Sequence, residues 1–245
     1  MNIFKNILGR ILALWAILVF VTTMFIVVLP IWITKFIKEP RGTEIFRRIS
    51  KVWMNIFLFL IGCPVRVRGK ENFTRGENYI VVCNHNSLMD VPVATPFIPG
   101  PNKTIAKIEM ANIPLFGIIY KRGSVLVDRK NEESRKASFN KMREVLQMGL
   151  HMCIYPEGTR NKTKEPLQRF HDGAFRLAVD TGKSILPSVI FHTAKVLPNN
   201  KQFFLWPHTI EIHFLPPIDV NGNTMQELKE KTFNIMWEYY LKNNK

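Results

Sequence analysis

Apolar residues fall into two patterns along this chain. From Ile11 to Thr34 no side chain is ionisable, and Leu, Ile, Val, Phe and Trp recur throughout, a run long enough to cross a bilayer as a helix. Beyond about residue 63 the pattern changes to short β-rich runs separated by helix-like segments. Strands are predicted at Val65–Val67, Tyr79–Cys83, Thr104–Ala106, Ser124–Val127, Met152–Tyr155, Ile185–Phe191 and Ile210–Phe214. Between them, Glu132–Met148 carries apolar positions at Ala137, Met142, Val145, Leu146 and Met148, with Asn131 placed to cap it and Gly149 to stop it. Thr224 and Glu227 have capping-box spacing and open a helix ending near Leu241. Strands alternating with helices predict an α/β fold, a mixed and largely parallel sheet flanked by helices and preceded by a membrane-associated helical segment. The boundary is expected near residue 63, with an anchor over residues 1–63 and one α/β domain over residues 64–245.

Charge narrows the choice of partner. Lys and Arg number 34 against 19 Asp and Glu, a formal net charge of +15, which calls for an anionic surface such as lipid headgroups, phosphorylated substrates or nucleic acid. The apolar start favours the membrane. The 18 Phe lie in apolar runs rather than interleaved with basic residues, which argues against base stacking and nucleic acid. A cleaved secretory signal fits poorly, because its apolar region spans roughly 7 to 15 residues and no small-x-small pattern precedes Lys35, Lys38 and Arg41. Trp53–Cys63 is too short to span and is expected at the interface or in a shallow hairpin, with Arg47, Arg48 and Lys51 towards anionic headgroups. A single span and a half-inserted hairpin both remain open. Basic residues crowd the C-terminal side of the first run more than Lys5 and Arg10 crowd its start, which places the remainder of the chain on the cytoplasmic face. Cys63, Cys83 and Cys153 are far apart and without redox or metal spacing, as in a thiol protein of a reducing compartment. His151, His171, His192, His208 and His213 form no ligand cluster, so no metal is expected.

Candidate chemistry begins with Asn84-His85-Asn86-Ser87-Leu88-Met89-Asp90, directly after the second predicted strand. Strand ends are where α/β sheets place ligand-binding loops. An imidazole can take a proton from an alcohol near neutrality, and a carboxylate partner fixes its tautomer and stabilises the imidazolium. On a regular helix two residues five apart diverge by more than about 100 degrees, so pairing His85 with Asp90 requires His85 to lie in a loop before the helix begins. The bland alternative is that Ser87 to Asp90 is only a capping box. Its company favours chemistry. Gly123-Ser-Val-Leu-Val-Asp-Arg129 ends in a cation, and Tyr155-Pro-Glu-Gly-Thr-Arg160 carries a carboxylate, a glycine and a second cation. Arg129 and Arg160 suit a phosphate monoester, because a guanidinium holds two phosphate oxygens at once and keeps its charge. Glu157 is placed to accept hydrogen bonds from acceptor hydroxyls or, alternatively, to cap a helix or face solvent, with Gly158 and Thr159 beside it. Lys107 offers a further cation or is simply solvated.

These residues resemble the conserved blocks of the glycerolipid acyltransferases. His85 followed by four residues and Asp90 is similar to that family's His-x-x-x-x-Asp block, with Ser87 at its usual place. Gly123–Arg129 resembles the second block, Pro156–Arg160 the third, and Ile185-Leu-Pro187-Ser-Val189 the fourth; Phe170–Ala174 resembles the segment that follows the third block into a helix. The likeness covers roughly residues 64 to 220 and is nearest to the bacterial 1-acylglycerol-3-phosphate acyltransferases. It departs at Tyr155, where many relatives have Phe, and at Asn161, where a Ser is usual.

The resemblance implies transfer of a fatty-acyl group from acyl-CoA or acyl carrier protein to the free hydroxyl of lysophosphatidic acid, at the cytoplasmic face of a bacterial inner membrane and without a cofactor. His85 would act as base and Asp90 would orient it, with backbone amides near Gly158 or Asn84 as candidate oxyanion donors. Another lysolipid or glycerol 3-phosphate as acceptor, and a non-catalytic membrane-anchored lipid-binding protein, are the competing expectations.

Overall fold

The computed structural model describes residues 3–163 and 165–244. Its first helix, α1, spans Ile3–Ile33 and so begins before the uncharged run does, including Lys5 and Arg10. The chain turns through Thr34–Phe36 and returns as α2, Arg41–Leu60. The two helices form an antiparallel hairpin. The Trp15 indole donates to Leu60 O at 3.0 Å, the Trp53 indole donates to Thr23 Oγ1 at 2.8 Å, and Phe20 packs on Trp53 and Phe57 with ring centroids 5.1 and 5.5 Å apart. Trp53–Leu60 is therefore the last part of a longer amphipathic helix rather than an isolated apolar stretch, and residues 61–63 lie beyond its end. Arg47 also departs from the headgroup-facing expectation: it is bound to Glu44 and donates to Pro96 O, whereas Arg48 is 73% exposed.

Seven strands form one sheet in the order β1-β7-β6-β2-β5-β3-β4, where β1 is Val65–Arg68, β2 Ile80–Cys83, β3 Asn102–Lys107, β4 Ser124–Val127, β5 His151–Ile154, β6 Ile185–Phe191 and β7 Ile210–Phe214. All neighbours pair parallel except β6 with β7, so β1 and β7 run against the other five. All seven predicted strands form, and the bounds differ where polar residues join a ladder. Asn102 and Lys103 extend β3 because they pair with His151 and Met152, while Tyr155 leaves β5. Strand β2 is wholly buried, as a central parallel strand covered on both faces must be.

Side chains alternate between the two faces with the period of two that the pleat imposes. Val81, Cys83, Cys153, Leu186 and Ile190 face α1, α2, α3 (Asp90–Phe97) and α4 (Phe116–Gly123). Ile80, Val82, Met152, Ile154, Ile185 and Val189 face α5 (Glu132–Gln147), α6 (Gly173–Thr181) and α8 (Met225–Asn243). Both predicted caps form: Asn131 accepts from Ser134 N, and Thr224 with Glu227 completes a capping box.

The N-terminal hairpin shares its core with the sheet. Ala13, Ala16, Val19, Trp53, Phe57 and Leu58 belong to the same buried cluster as Val81 and Leu186, so the change of pattern near residue 63 marks a change of element and not a separate core. At the far end of α1, Gly9 lies against the Phe204 ring, where any Cβ would stand 2.2 Å from a ring carbon. Gly9 O accepts from Leu205 N at 3.0 Å. Between these contacts α1 leaves a long face uncovered, including Leu14, Ile17, Leu18, Val21, Phe25, Ile26 and Leu29; only 22% of its most apolar window is buried.

Candidate active site

The parallel strands β2, β5, β3 and β4 end side by side, and the candidate residues leave from those ends. The chain departs from β2 through Asn84, whose side chain replaces a ladder partner: Nδ2 donates to Ile190 O at 2.9 Å and Oδ1 accepts from Ile190 N at 2.7 Å. Asn84 is fully buried, and the next residue, His85, is partly exposed just past the end of β2.

Asp90 opens α3, and its Oδ2 collects three groups: the Asn86 amide at 2.6 Å, the Ser87 amide at 2.7 Å and His85 Nδ1 at 2.8 Å. The residues between them form a tight loop, which overcomes the angular divergence a continuous helix would impose. Two amides already donate to this oxygen, so Nδ1 donates as well and the ring's acceptor nitrogen is Nε2. Nε2 has no hydrogen-bond partner among the described residues, and the His85 side chain is 17% exposed. Asp90 is fully buried. Its location makes its charge available to an imidazolium with little screening by water. The capping box forms only in part: the Asp90 carboxylate accepts from Ser87 N, but the Ser87 hydroxyl donates to Leu197 O instead of closing the box on Asp90 N.

Glu157 occupies a different position from the one expected of a group that meets substrate hydroxyls. It is 3% exposed. Oε1 accepts from His85 N at 2.7 Å and Oε2 from Gln168 N at 3.0 Å. Burial pushes its carboxyl up to about 7, with the Asp90 charge adding to the rise and the two amides opposing it. Glu157 thus positions the His85 backbone, aided by Asn161 N, which donates to His85 O at 2.6 Å, and by the Tyr155 ring, 4.6 Å from the imidazole.

The cations gather around the same turn. Arg129, just past β4, donates to Gly158 O. Arg160 Nη1 donates to Asn199 Oδ1 at 3.2 Å, and Asn199 Nδ2 donates in turn to Asn86 O at 2.6 Å and Asn161 O at 3.1 Å. Asn199 therefore ties the cation loop to the histidine loop. It follows α7 (Thr193–Val196) and carries no sequence signal, since Pro198-Asn-Asn reads as an ordinary turn. Lys107 ends β3 exposed, in register with Val127 of β4, on the same edge as Arg129. Thr159 is exposed at the tip of the turn. The Gly158 amide is taken by Tyr155 O at 3.0 Å, so it is not free to serve as an oxyanion donor.

Gly158 itself has φ +70°, and a Cβ there would lie 2.9 Å from His171 Cδ2. Gly158→Ala should destabilise the fold by about 1 kcal/mol or more and lower activity by displacing Glu157 and Arg160. A thermal unfolding curve with an unchanged midpoint, together with unchanged turnover, would contradict this account of the turn.

Comparison with known proteins places these features in a family. A model of the acyltransferase family matches residues 64–191, the stretch from β1 through β6. The 1-acyl-sn-glycerol-3-phosphate acyltransferase of Borreliella burgdorferi is 31% identical over 173 residues, covering 70% of this chain and 68% of that protein. Its counterpart in Escherichia coli is 28% identical over 176 residues, covering 70% of this chain and 69% of its own. The match to the coconut enzyme of the same name, at 32% identity, spans only 52% of that longer protein. The crystal structure of the 1-acyl-sn-glycerophosphate (LPA) acyltransferase PlsC from Thermotoga maritima superposes with a TM-score of 0.80 over 97% of this chain and 99% of that one. At 23% identity this likeness shows a common fold, N-terminal helices included. The family match runs through the strand ends that carry His85, Asp90, Arg129 and Glu157, and with it the chain belongs to the acyltransferase family.

Proposed function

We propose that this acyltransferase moves a fatty-acyl group from acyl-CoA or acyl carrier protein to the sn-2 hydroxyl of 1-acyl-glycerol-3-phosphate, giving phosphatidic acid for phospholipid synthesis. The observation that carries the reading is the His85–Asp90 pair, whose 2.8 Å contact leaves Nε2 as an open acceptor beside a cation-bearing turn. In the proposed step the acceptor's hydroxyl proton passes to Nε2 as its oxygen bonds to the thioester carbonyl carbon. The C–S bond then breaks, and the departing thiolate takes the proton from the imidazolium. Asp90 holds the ring and balances its transient charge. The thioester already carries the acyl group in activated form, so the sequence of steps calls on no metal or cofactor.

Arg160, Arg129 and Lys107 supply the positive charge that a phosphate monoester needs. Thr159 lies between the first of these and the Glu157-Gly158 turn. Membrane lipids supply the setting: the uncovered face of α1, together with exposed Val52, Ile56 and Phe59 on α2, gives the chain an apolar surface suited to a bilayer. The cytoplasmic face of a bacterial inner membrane agrees with the basic residues Lys35, Lys38 and Arg41 that follow α1.

The test supplies purified protein with palmitoyl-CoA, or with palmitoyl carrier protein, and a panel of lysolipids and glycerol 3-phosphate while following free thiol release. Turnover with lysophosphatidic acid alone supports the reading, and turnover confined to a phosphate-free acceptor refutes it. Arg160→Ala should raise KM for lysophosphatidic acid by about 10- to 100-fold, the loss of roughly 1.5–3 kcal/mol for a charged hydrogen bond.

A further inference from the structure

A second concentration of positive charge lies well away from His85. At the C-terminal end of α1 a cleft of about 420 Å³ opens, and Lys35, Lys103, Lys121 and Arg122 converge on it. Glu39 is the only carboxylate paired with these cations among the described residues: it meets Arg122 at 2.7 Å and Lys103 at 3.8 Å. One carboxylate against four cations leaves a local surplus of positive charge. Arg122 forms a fixed wall, because it also donates to Thr34 Oγ1 at 2.9 Å and Thr43 Oγ1 at 3.0 Å and its side chain is only 9% exposed. Lys103 is half-buried, and desolvation holds its ammonium below the usual lysine range, with Arg122 adding to the drop and Glu39 opposing it. Lys35 and Lys121 are exposed, with the Lys35 ammonium resting over the Trp32 and Phe36 rings.

The rest of the cleft is apolar, formed by Ile31, Trp32 and Ile118. Its rim continues into exposed Ile33 and Phe36, and the Lys35 ammonium sits 4.3 Å from the Trp32 ring centroid. An aromatic residue and lysines at the end of a long apolar helix mark headgroup depth in a bilayer. The site is not the acyl-transfer edge. Lys103 precedes Lys107 on β3 by four residues, roughly 13 Å along a strand.

We propose that this cleft binds the phosphate headgroup of an anionic phospholipid, with the acyl chains lying along the exposed end of α1. The proposal rests on the membrane reading of α1 but not on the identity of the acyl acceptor. A lipid phosphate would neutralise the surplus charge between the largely buried Arg122 guanidinium and the two exposed ammoniums, while its chains cover Ile33 and Phe36. A free phosphate would satisfy only the first of these.

The experiment uses the full chain in non-ionic detergent and measures binding of dihexanoyl phosphatidylglycerol, dihexanoyl phosphatidylcholine and inorganic phosphate by calorimetry. The double variant Lys35→Gln/Lys121→Gln is compared with a charge-matched control on α5, Lys141→Gln/Arg143→Gln. Two lost contacts should weaken phosphatidylglycerol binding by roughly 30-fold, while the control stays at the parent value and phosphatidylcholine binds weakly to all three. Equal binding by the double variant and its control would overturn the proposal. Displacement of the lipid by inorganic phosphate at a similar concentration would overturn the lipid assignment in favour of a free-anion site. Acyl transfer to lysophosphatidic acid is followed in the same preparations. Its absence from the parent protein would count against the proposed reaction only, and turnover without selective binding would count against the cleft only.

Discussion

His85→Ala should lower the rate of acyl transfer by roughly 10²–10⁴-fold, the usual contribution of a positioned base, with little change in KM. The imidazole touches the protein through Nδ1 and through the Tyr155 ring, and its backbone amide and carbonyl are held by Glu157 and Asn161 whatever the side chain. The substitution therefore removes the base and leaves the loop in place. Single-turnover thiol release from palmitoyl-CoA, with the unfolding midpoint measured alongside, separates lost chemistry from lost structure. A variant that keeps turnover within a few-fold of the parent would rule out His85 as the base. Asp90→Ala should lose both properties, because the Asn86 and Ser87 amides would be left without the fully buried carboxylate that accepts from them.

The second large effect concerns stability and pH. Glu157 has a carboxyl near 7 in the folded protein against an ordinary value of 4.5, so the folded state binds its proton more tightly than the unfolded chain. Stability from this group is therefore greatest below pH 4.5, declines as pH rises to about 7, and is level above that. The gap from 4.5 to about 7 corresponds to on the order of 3 kcal/mol. His151 works in the opposite sense. It is 4% exposed and its Nδ1 accepts from Tyr79 N, and burial lowers it from 6.5 to about 4, so its contribution is lost as pH falls through that window. The two titrations partly offset each other in the parent protein.

Glu157→Gln removes one titration and leaves the other. Denaturant midpoints across pH 4 to 8 should show the variant gaining on the parent by on the order of 3 kcal/mol between pH 4.5 and 7. This change sits on top of a constant loss of about 1–3 kcal/mol, because an amide NH₂ cannot accept from the His85 or Gln168 amide. A parent-minus-variant difference that stays flat with pH would show that folding does not raise the Glu157 carboxyl above its ordinary value. Turnover should also fall in the variant, since the His85 amide loses its anchor.

Much of the architecture was legible in the chain. Continuous apolar runs such as Ile80–Cys83 and Ile185–Phe191 identify strands covered on both faces, and the Asn131 and Thr224 caps mark helix starts that form as read. Local chemistry sets these features, so local sequence reveals them. A hairpin was one of two readings left open for the N-terminal segment, but the length of α2 was not legible, because its polar first half, with Glu44, Arg47 and Arg48, masks a helix whose buried stripe appears only against Phe20 and Thr23. Asn199 gave no signal for a similar reason. Its role depends on three carbonyl and guanidinium partners far from it in the chain.

The amino-acid order alone determined which residues could do the chemistry: an imidazole and a carboxylate five positions apart after an apolar strand, and guanidiniums after two others. Tertiary structure decided what each one touches. Asp90 meets His85 because two backbone amides fold the intervening loop onto the same carboxylate oxygen. Glu157 became a buried brace rather than a hydroxyl contact because the β5 turn delivers it beneath the His85 amide, where desolvation outweighs solvent access. Distances between side chains from different strands are set by sheet order and packing, and neither is written in any one segment of the chain.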